Sequence, residues 1–345
     1  MNLDSNVVYR QSSVTCRNHL GKTVDPGDTA TSCSTFPSAH HLEEFMVKSA
    51  NGSRLFGIHT IQTMSWPELM RQWQWFEELG FDSLWLPDHF FPTAGRDKPM
   101  FEAWTALSGL AMVTKRARIG ILVSSNTFRQ PALLAKQVVT VDHQSGGRLE
   151  LGIGAGWFVE EHETFGLDFP ETRMLVGRYA EAVELIDTYL RNDESSFHGE
   201  HYQLNGAFNR PPPVQRPRPP LVMGAHGPRM LKLVARYADC WNSFAPPDEL
   251  RHRNDQLTAF CEEIGRDPAS IKRSMFYGVR QSPEDDPWQS VDAFTDYIGQ
   301  YAEAGMREFV LQPPPPDRFG MVERIASDIL PTLRHDPATG RTTTP

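Results

Sequence analysis

The chain has 345 residues, a formal net charge of −9 and 39% hydrophobic residues. This composition is typical of a globular protein with a full core, so it excludes disorder as the main state of the chain. The acidic balance and the absence of a Lys/Arg run argue against a nucleic-acid partner.

The sequence has no evident membrane or targeting segment. No stretch reaches the roughly eighteen apolar residues that a membrane span requires, and the N-terminus lacks the apolar core of a signal peptide. Four cysteines, Cys16, Cys33, Cys240 and Cys261, are too far apart for a zinc pattern and fit thiols in a reducing compartment. The sequence therefore predicts a cytoplasmic protein whose partner is a small molecule.

The first segment differs in character from the rest of the chain. Residues 1–53 are rich in Ser, Thr, His and Asn and have no sustained apolar period, so we expect a disordered or loosely attached extension. From Arg54 the pattern changes, because LFGIH is a short apolar run. A helix follows it, with Ser65 as the N-cap, Pro67 in its first turn and Gly80 at its end.

Short apolar runs and helices then alternate along the chain. SLWLP, RIGILVS and RLELGIG are separated by helices predicted from Phe101 to Thr114 and from Pro131 to Gln144. A long helix from Glu171 to Leu190 precedes an irregular stretch that contains HYQLNG and PPPVQRPRPP. PLVMGAHG, CWNSF, KRSMFYGV and REFVLQ resume the pattern, each followed by a helix, the last of which ends near Leu333.

Short apolar runs without polar alternation, each followed by a helix, are typical of buried parallel strands. Eight such units predict an α/β protein with a single (β/α)8 TIM barrel over residues 54–334. The irregular stretch is an insertion between the fourth and fifth strand-helix units, and residues 335–345 are a flexible tail. A doubly wound sheet is the alternative, although no GxGxxG with a downstream acidic residue follows the first strand. The active site of a barrel lies at the carboxyl ends of its strands.

Two of these strand ends carry candidate acid-base residues. PDHFF places Asp88 and His89 after the second strand. His89 is the best general acid or base because histidine titrates near neutrality, and Asp88 would orient it or cap the following turn. His59, after the first strand, is a second catalytic candidate, and a hydrogen-bonded structural role is the alternative for each. A metal-hydrolase barrel would need a second histidine close to His59, which GIHTIQ lacks, so no metal site is predicted.

Small residues at other strand ends suit the close approach of a planar ring or a phosphate. GAHGPR leads into a helix, so its backbone N–H groups and Arg229 could bind a phosphate, the alternative being a glycine-rich turn without a ligand. The acidic EEHETFG segment is expected to supply solvated partners for a helix dipole. The candidate cofactor-binding residues are Ser124, Ser125, Asn126, Thr127, Gly154, Ala155, Gly156, Gly224, Ala225, His226, Gly227, Pro228 and Arg229.

These segments together resemble a known family. FGIH, FDSLWLPDHFF, the run from LVSSNTFRQ to GIGAGWFVEEHETFG, and GAHGPRMLKLVARYADCWNS are similar to the luciferase-like monooxygenase superfamily over about Leu55 to Leu333. DHF and GIGAGWFVEEH resemble its F420-dependent oxidoreductases more than its FMN-dependent luciferases. The resemblance implies the deazaflavin F420 across the barrel mouth, backed by a cis peptide near Ser125 and Asn126. It also implies that the histidine of the DH pair lies beside the hydride-bearing carbon and that the cofactor phosphate binds the GAHGPR loop.

One departure from that family bears on the substrate. The sugar-phosphate dehydrogenases of this group have an acidic residue where this chain has Trp157, so the resemblance implies a bulkier and less polar substrate. Trp157, Phe90 and Phe208 are the candidate pocket residues, with rim packing as the alternative for the indole. The segment from Phe197 to Pro220 is expected to form a lid or pocket wall.

Three functions are compatible with the sequence. The leading hypothesis is F420-dependent hydride transfer to a small organic substrate, with reduction of an activated C=C, C=N or C=O bond favoured over alcohol oxidation. The alternative is a two-component monooxygenase that uses FMNH2 from a separate reductase. A non-catalytic flavin-binding barrel is the third hypothesis. The resemblance also implies a homodimer.

Overall fold

The structure is a computed structural model and describes residues 53–93, 95–278 and 285–334. Apart from Ser53, the expected extension over residues 1–53 and the expected tail over residues 335–345 lie outside the described residues. Cys240 and Cys261 are buried free thiols, whereas Cys16 and Cys33 lie in the undescribed segment. Within the described ranges, no helix has both the length and the apolar character needed to cross a bilayer.

Eleven strands and ten α-helices are described, together with one π-helical turn at Ile325–Ile329. The strands are β1 (Leu55–His59), β2 (Ser83–Leu86), β3 (Arg118–Ile121), β4 (Ser124–Ser125), β5 (Leu149–Gly154), β6 (Glu194–His198), β7 (Gln203–Phe208), β8 (Leu221–Gly224), β9 (Cys240–Ser243), β10 (Lys272–Tyr277) and β11 (Glu308–Leu311). The helices are α1 (Trp66–Glu78), α2 (Ala103–Val113), α3 (Pro131–Ser145), α4 (Val159–Phe165), α5 (Thr172–Arg191), α6 (Pro228–Tyr237), α7 (Pro247–Glu263), α8 (Val291–Glu303), α9 (Phe319–Arg324) and α10 (Leu330–Leu333).

Nine of the strands form one sheet in the order β3-β2-β1-β11-β10-β9-β8-β5-β4, and a further pairing of β3 with β5 closes it into a ring. The neighbours in the ring are parallel, as in the register Leu55↔Glu308 between the first and last strands. The two-residue β4 lies beside β5 and outside the closed ring of eight. The predicted (β/α)8 barrel is therefore confirmed, and the doubly wound alternative is wrong because the sheet closes.

Local sequence signals position the first helix of the barrel as predicted. The Glu68 carboxylate accepts a hydrogen bond of 3.1 Å from the Ser65 backbone N–H, which closes a capping box at the start of α1. Gly80 follows the helix with φ 92°, a conformation that glycine adopts without strain. The chain can therefore turn sharply into β2.

The segment between β5 and β8 differs from its prediction. HYQLNG was expected to be irregular, but it contributes β7, which pairs antiparallel with β6 in a hairpin. Both carboxylate oxygens of Glu181 on α5 accept backbone N–H bonds from the turn of this hairpin, at 2.9 Å from Glu200 and 2.8 Å from His201. The side chains of these three residues also approach one another closely enough to share an ion, but the Glu181 oxygens already serve as the anchor of the hairpin.

The interior of the barrel is filled in two layers. At the lower end of the barrel, where the strands begin, Lys272 lies 2.8 Å from Glu308, and Arg118 lies 2.5 Å from Glu150. Above this charged layer, the fully buried indole of Trp85 packs with Val222, Cys240 and Val310. Side chains thus close the lumen, as in other barrels of this size, and the upper end alone is left for a site.

Trp85 requires a glycine on the neighbouring strand. A Cβ atom at Gly120 would lie 2.5 Å from Cζ3 of the indole and 2.6 Å from the Glu150 carbonyl oxygen. We expect Gly120→Ala to lower the free energy of unfolding by about 1–3 kcal/mol, the usual cost of overpacking a core. Urea unfolding followed by circular dichroism measures the change.

Gly299→Ala is the matched control, because Gly299 lies in α8 and a Cβ atom there has no neighbour within 4 Å. This control should unfold at the same or a higher urea concentration, since alanine stabilises a helix by up to about 1 kcal/mol relative to glycine. Equal stability of Gly120→Ala and the wild type would contradict the description of the barrel interior.

Candidate active site

His89 faces the barrel mouth, which is the opening at the carboxyl ends of the strands. A buried carboxylate binds the other side of its ring. Its Nδ1 atom lies 2.7 Å from Oε2 of Glu161 on α4, whose side chain is fully buried. The other Glu161 oxygen accepts the backbone N–H of Phe90 at 2.6 Å. The Glu161 carboxylate accepts a hydrogen bond in this pair, so Nδ1 carries the hydrogen and Nε2 is the nitrogen that can exchange a proton with a ligand.

Asp88 does not have the predicted role of orienting His89. Its carboxylate accepts the Ser125 backbone N–H at 2.8 Å and binds Arg129 through two bonds of 2.5 and 3.0 Å. Asp88 and His89 thus have different partners, although they are adjacent in sequence. The physical effect of Asp88 is to fix β4 and Arg129, while Glu161 orients His89. The expectation that the acidic EEHETFG residues are solvated is therefore wrong for Glu161.

His59 lies on the floor of the mouth. Its ring contacts Phe276 edge-on at 4.9 Å between centroids, and its buried Nδ1 atom has no hydrogen-bond partner among the described residues. Burial, with the nearby charge of His89, lowers the pKa of His59 to about 3. At neutral pH His59 is therefore an uncharged imidazole with a nitrogen left for a ligand.

The chain between β3 and β4 carries a cis peptide bond between Leu122 and Val123. The expectation of a cis bond near Ser125 and Asn126 is thus wrong by about three residues. A Cβ atom at Gly154 would lie 2.6 Å from a Val123 methyl carbon, and one at Gly224 would lie 3.3 Å from it. These two glycines were expected to admit a cofactor, but they make room for the valine side chain.

The four residues from Ser124 to Thr127 divide between the two faces of the sheet. The Ser124 hydroxyl accepts a hydrogen bond of 3.1 Å from the Trp104 indole of α2, so it points away from the mouth and is removed from the predicted cofactor site. Ser125 points to the opposite face, as alternation along a strand requires. Asn126 donates a 3.3 Å hydrogen bond to the Tyr202 hydroxyl of the hairpin, and the Thr127 hydroxyl lies 2.8 Å from that of Ser125.

The GAHGPR loop forms an open helix N-terminus. Gly227 precedes α6 with φ −93° and ψ 160°, and a Cβ atom there would have no neighbour within 4 Å. Arg229 lies in the first turn, where it is exposed. Arg253 of α7 also reaches the loop, at 3.0 Å from Nδ1 of His226, and with desolvation of the ring it lowers the pKa of that histidine. The loop thus offers backbone N–H groups and the exposed Arg229 to an anion, with Arg253, which is ion-paired with Glu249, beside it.

Aromatic side chains lie around the His89 imidazole. The ring of Trp157 lies 5.7 Å from that of His89 and is stacked at 5.0 Å on Phe158, while 64% of Trp157 remains exposed. Phe90 stacks on Phe128 at 4.4 Å. Trp157 therefore lies beside His89, and the pocket roles of Trp157 and Phe90 stay predictions.

Phe208 does not belong to this wall. Its carbonyl oxygen accepts the Tyr189 hydroxyl near the end of α5, and the Arg210 guanidinium lies 4.8 Å from its ring. Tyr202, at the other end of the hairpin, contacts the mouth through Asn126. The predicted lid segment therefore reaches the site through Tyr202 and not through Phe208.

Sequence reasoning missed Glu161, His162 and Arg253. The first two lie in the first turn of α4, which follows β5, and nothing in EEHETFG distinguishes the buried Glu161 from the exposed Glu160. Arg253 is remote in sequence from the GAHGPR loop, and only the neighbouring position of α7 in the barrel brings it there. The sequence predicts that α7 lies beside the GAHGPR loop, because the two belong to consecutive barrel units, but it does not single out Arg253 on that helix.

Comparison with known proteins identifies the family. The family model for luciferase-like monooxygenases matches residues 46–316. A phthiodiolone/phenolphthiodiolone dimycocerosates ketoreductase of Mycobacterium sp. (strain JLS) is 32% identical, over 61% of this chain and 61% of that protein. An F420-dependent glucose-6-phosphate dehydrogenase of Amycolatopsis mediterranei (strain U-32) is 36% identical, over 47% of this chain and 49% of that protein. The chain thus spans 61% of the first relative and about half, 49%, of the second.

A solved structure of an F420-dependent secondary alcohol dehydrogenase in complex with an F420-acetone adduct has the same fold. It superposes with a TM-score of 0.72 at 21% identity and covers 82% of this chain and 100% of that one. Because the family model matches most of the chain, the protein belongs to the luciferase-like monooxygenase family.

The low pKa of His59 gives a pH dependence of stability. Between pH 6.5 and about 3 the unfolded chain binds a proton at this residue that the folded protein does not bind. The free energy of unfolding therefore decreases as the pH falls through this range. His59→Gln removes this contribution, so the loss of stability between pH 7 and 5 should be smaller in the variant by about 2 kcal/mol.

Urea unfolding of both proteins at the two pH values measures the difference, and every other titratable group is common to both. NMR of the wild-type imidazole should show no protonation of His59 down to pH 5. A His59 resonance that titrates near pH 6.5 would refute the prediction.

Proposed function

We propose that this protein is an F420-dependent oxidoreductase that transfers a hydride between the deazaflavin and a small organic substrate, with reduction as the favoured direction. The observation that carries the proposal is the pair of His89 and Glu161, in which a buried carboxylate holds an imidazole with its exchangeable nitrogen towards the mouth. Hydride transfer to a carbonyl or imine carbon leaves a heteroatom that needs a proton. The pair supplies a proton at that position.

The residues of the mouth fit the cofactor. The orphaned Nδ1 atom of His59 offers a buried hydrogen-bonding position to a heterocycle. The α6 N-terminus at Gly227, with Arg253 beside it, would hold a phosphate. Bound F420 supplies the hydride acceptor or donor of the reaction, which no side chain of the protein can replace.

His89 acts on the proton that accompanies hydride transfer. With Nδ1–H donated to Glu161, the ring presents Nε2 to the substrate heteroatom. In the reducing direction Nε2–H gives its proton to the developing alkoxide or amide. In the oxidising direction the same nitrogen accepts it.

The substrate side of the mouth is aromatic. Trp157 stands beside His89 with most of its surface exposed, so it supports an apolar or aromatic substrate better than a sugar phosphate. One relative is a ketoreductase, which is consistent with a ketone as the acceptor. We therefore propose a bulky, weakly polar carbonyl compound as the substrate class.

An FMNH2-dependent monooxygenase supplied by a separate reductase is the second candidate, because the matching family is named for monooxygenases. The two functions differ in the cofactor that the protein binds. Fluorescence titration of the purified protein with F420 and FMN, at the same pH and salt, separates them. Saturable F420 binding with at least tenfold weaker FMN binding supports the proposal, whereas preference for FMN or binding of neither rejects it.

The phosphate position can be tested in the same titration. Gly227→Asp has room for its side chain and retains an allowed conformation, and aspartate is a favourable N-cap, so we expect no loss of folding stability. Its negative charge should weaken F420 binding at least tenfold by repelling the phosphate. Gly227→Ser is the control, a neutral N-cap of similar size that should stay within threefold of the wild type.

The role of His89 is tested by turnover of F420H2 with a panel of ketones. We expect His89→Asn to reduce kcat by about 10²- to 10⁴-fold, the usual contribution of a general acid, with the F420 Kd changed less than threefold. Glu161→Gln should lower kcat less, because the amide oxygen can still accept the Nδ1–H bond while the negative charge is lost. A His89→Asn variant with wild-type kcat would remove His89 as the proton donor.

A further inference from the structure

A chain of three hydrogen-bonding side chains ends at the barrel mouth, outside the His89 and Glu161 pair. His162 on α4 is buried, and its Nε2 atom lies 2.6 Å from the Thr127 hydroxyl. The Thr127 hydroxyl lies 2.8 Å from that of Ser125. A Cβ atom at Gly156 would lie 2.6 Å from the Thr127 oxygen and 2.9 Å from the Ser125 oxygen. Glycine at this position therefore makes room for both hydroxyls.

The hydrogen bond at the His162 end of this series determines which nitrogen of that ring carries the hydrogen. Nδ1 of His162 is 2.8 Å from the Phe158 carbonyl oxygen. A carbonyl oxygen can only accept, so Nδ1 carries the hydrogen. In the neutral ring, Nε2 then has a lone pair and must be the acceptor of the next bond.

Each hydroxyl group has a single hydrogen, so the donor of one hydrogen bond in this series fixes the donor of the next. Thr127 donates its hydrogen to Nε2 of His162, so its oxygen is left as an acceptor. Ser125 consequently donates its hydrogen to Thr127. The Ser125 oxygen has only lone pairs left for anything that approaches from the mouth.

The Ser125 side chain is on the side where a ligand would bind. Ser124 binds Trp104 of α2, outside the barrel, so the next side chain of the strand points towards the barrel axis. The Asp88 carboxylate fixes the Ser125 backbone through its N–H at 2.8 Å. The hydroxyl is thus held in position as well as in direction.

We propose that Ser125 is a dedicated hydrogen-bond acceptor at the barrel mouth, directed by Thr127 and His162, and that it selects a cofactor ring carrying an N–H or O–H donor at that place. This inference rests on the proposed function for the identity of the ring. On F420, two groups have this chemistry: the ring N–H at N3 and the hydroxyl at C8. FMN has the N–H at N3 but a methyl group at C8.

The direction of the chain can be measured without any ligand. Long-range ¹H–¹⁵N NMR of the histidine rings identifies which nitrogen carries the hydrogen, and the His162 signal is assigned from its loss in His162→Gln or its shift in Thr127→Val. We expect a neutral ring with hydrogen on Nδ1. Hydrogen on Nε2, in the other neutral tautomer or in a ring protonated on both nitrogens, would reverse the hydrogen bonds and overturn the proposal.

The acceptor role is measured by F420 affinity. Ser125→Ala should weaken binding about three- to tenfold, the range of a single hydrogen bond, and Thr127→Val should weaken it by no more than this. Because both act through one acceptor, the double variant should bind no more weakly than Ser125→Ala. A general structural defect would instead give additive losses, which would overturn the proposal.

Ser124→Ala is the matched control, since it removes a hydroxyl from the neighbouring residue that points away from the mouth. Its F420 affinity should stay within twofold of the wild type, and unfolding curves verify that all variants are folded at the titration temperature. Equal affinities of Ser124→Ala and Ser125→Ala would reject the acceptor role of Ser125.

Two cofactor derivatives identify the donor. Methylation at N3 or at the C8 oxygen of F420 removes one donor each, and Ser125→Ala should have no further effect on the derivative that lacks the partner. An equal effect of Ser125→Ala on F420 and on both derivatives would overturn the proposal. If the wild type binds FMN in place of F420, and Ser125→Ala weakens FMN binding, the proposed cofactor is wrong. The role of Ser125 as a hydrogen-bond acceptor is then still supported.

Discussion

The lower end of the barrel interior must neutralise four buried charges, and the rest of the structure depends on this constraint. Arg118, Glu150, Lys272 and Glu308 come from four different strands. Lys272 and Arg118 hold the pKa of Glu150 below its usual range although burial opposes this, and the carboxylates raise the pKa of Lys272. Breaking a buried pair leaves an uncompensated charge, whose cost is about 3–5 kcal/mol. The ring of strands therefore closes in one register.

This arrangement also separates stability from chemistry along the barrel axis. The charged layer and Trp85 fill the lower and middle parts of the lumen, so no ligand can enter there. Nδ1 of His59 and the exposed side of His89 have free hydrogen-bonding positions, and both residues lie at or just after the carboxyl ends of their strands. At the mouth, Asp88 holds the Ser125 backbone and Arg129, and Glu161 holds the His89 imidazole and the Phe90 backbone.

The sequence predicted the barrel well because its signal is local. A short apolar run bounded by turn residues predicts a buried parallel strand regardless of its neighbours, and each such run in this chain became a strand. The residues that fix the site are partners across elements, which local patterns do not encode. Asp88 and His89 are adjacent in sequence but have different partners, and the carboxylate that binds His89, Glu161, lies 72 residues further on. Phe208 and Tyr202 share one hairpin, yet only the second reaches the mouth.

The glycines show the same limit in physical terms. A glycine in a strand indicates that something approaches the backbone closely, but the sequence does not state what approaches. At Gly154 and Gly224 the neighbour is Val123, at Gly120 it is Trp85, and at Gly227 the space is open.

A buried polar atom without a partner, such as Nδ1 of His59, costs the folded protein about 1–3 kcal/mol. A ligand that binds this nitrogen in the folded state alone removes the cost and stabilises the fold, by an amount that rises with ligand concentration relative to its Kd. Open space and an unpartnered nitrogen, rather than glycine itself, mark the positions where this barrel is built to receive a ligand.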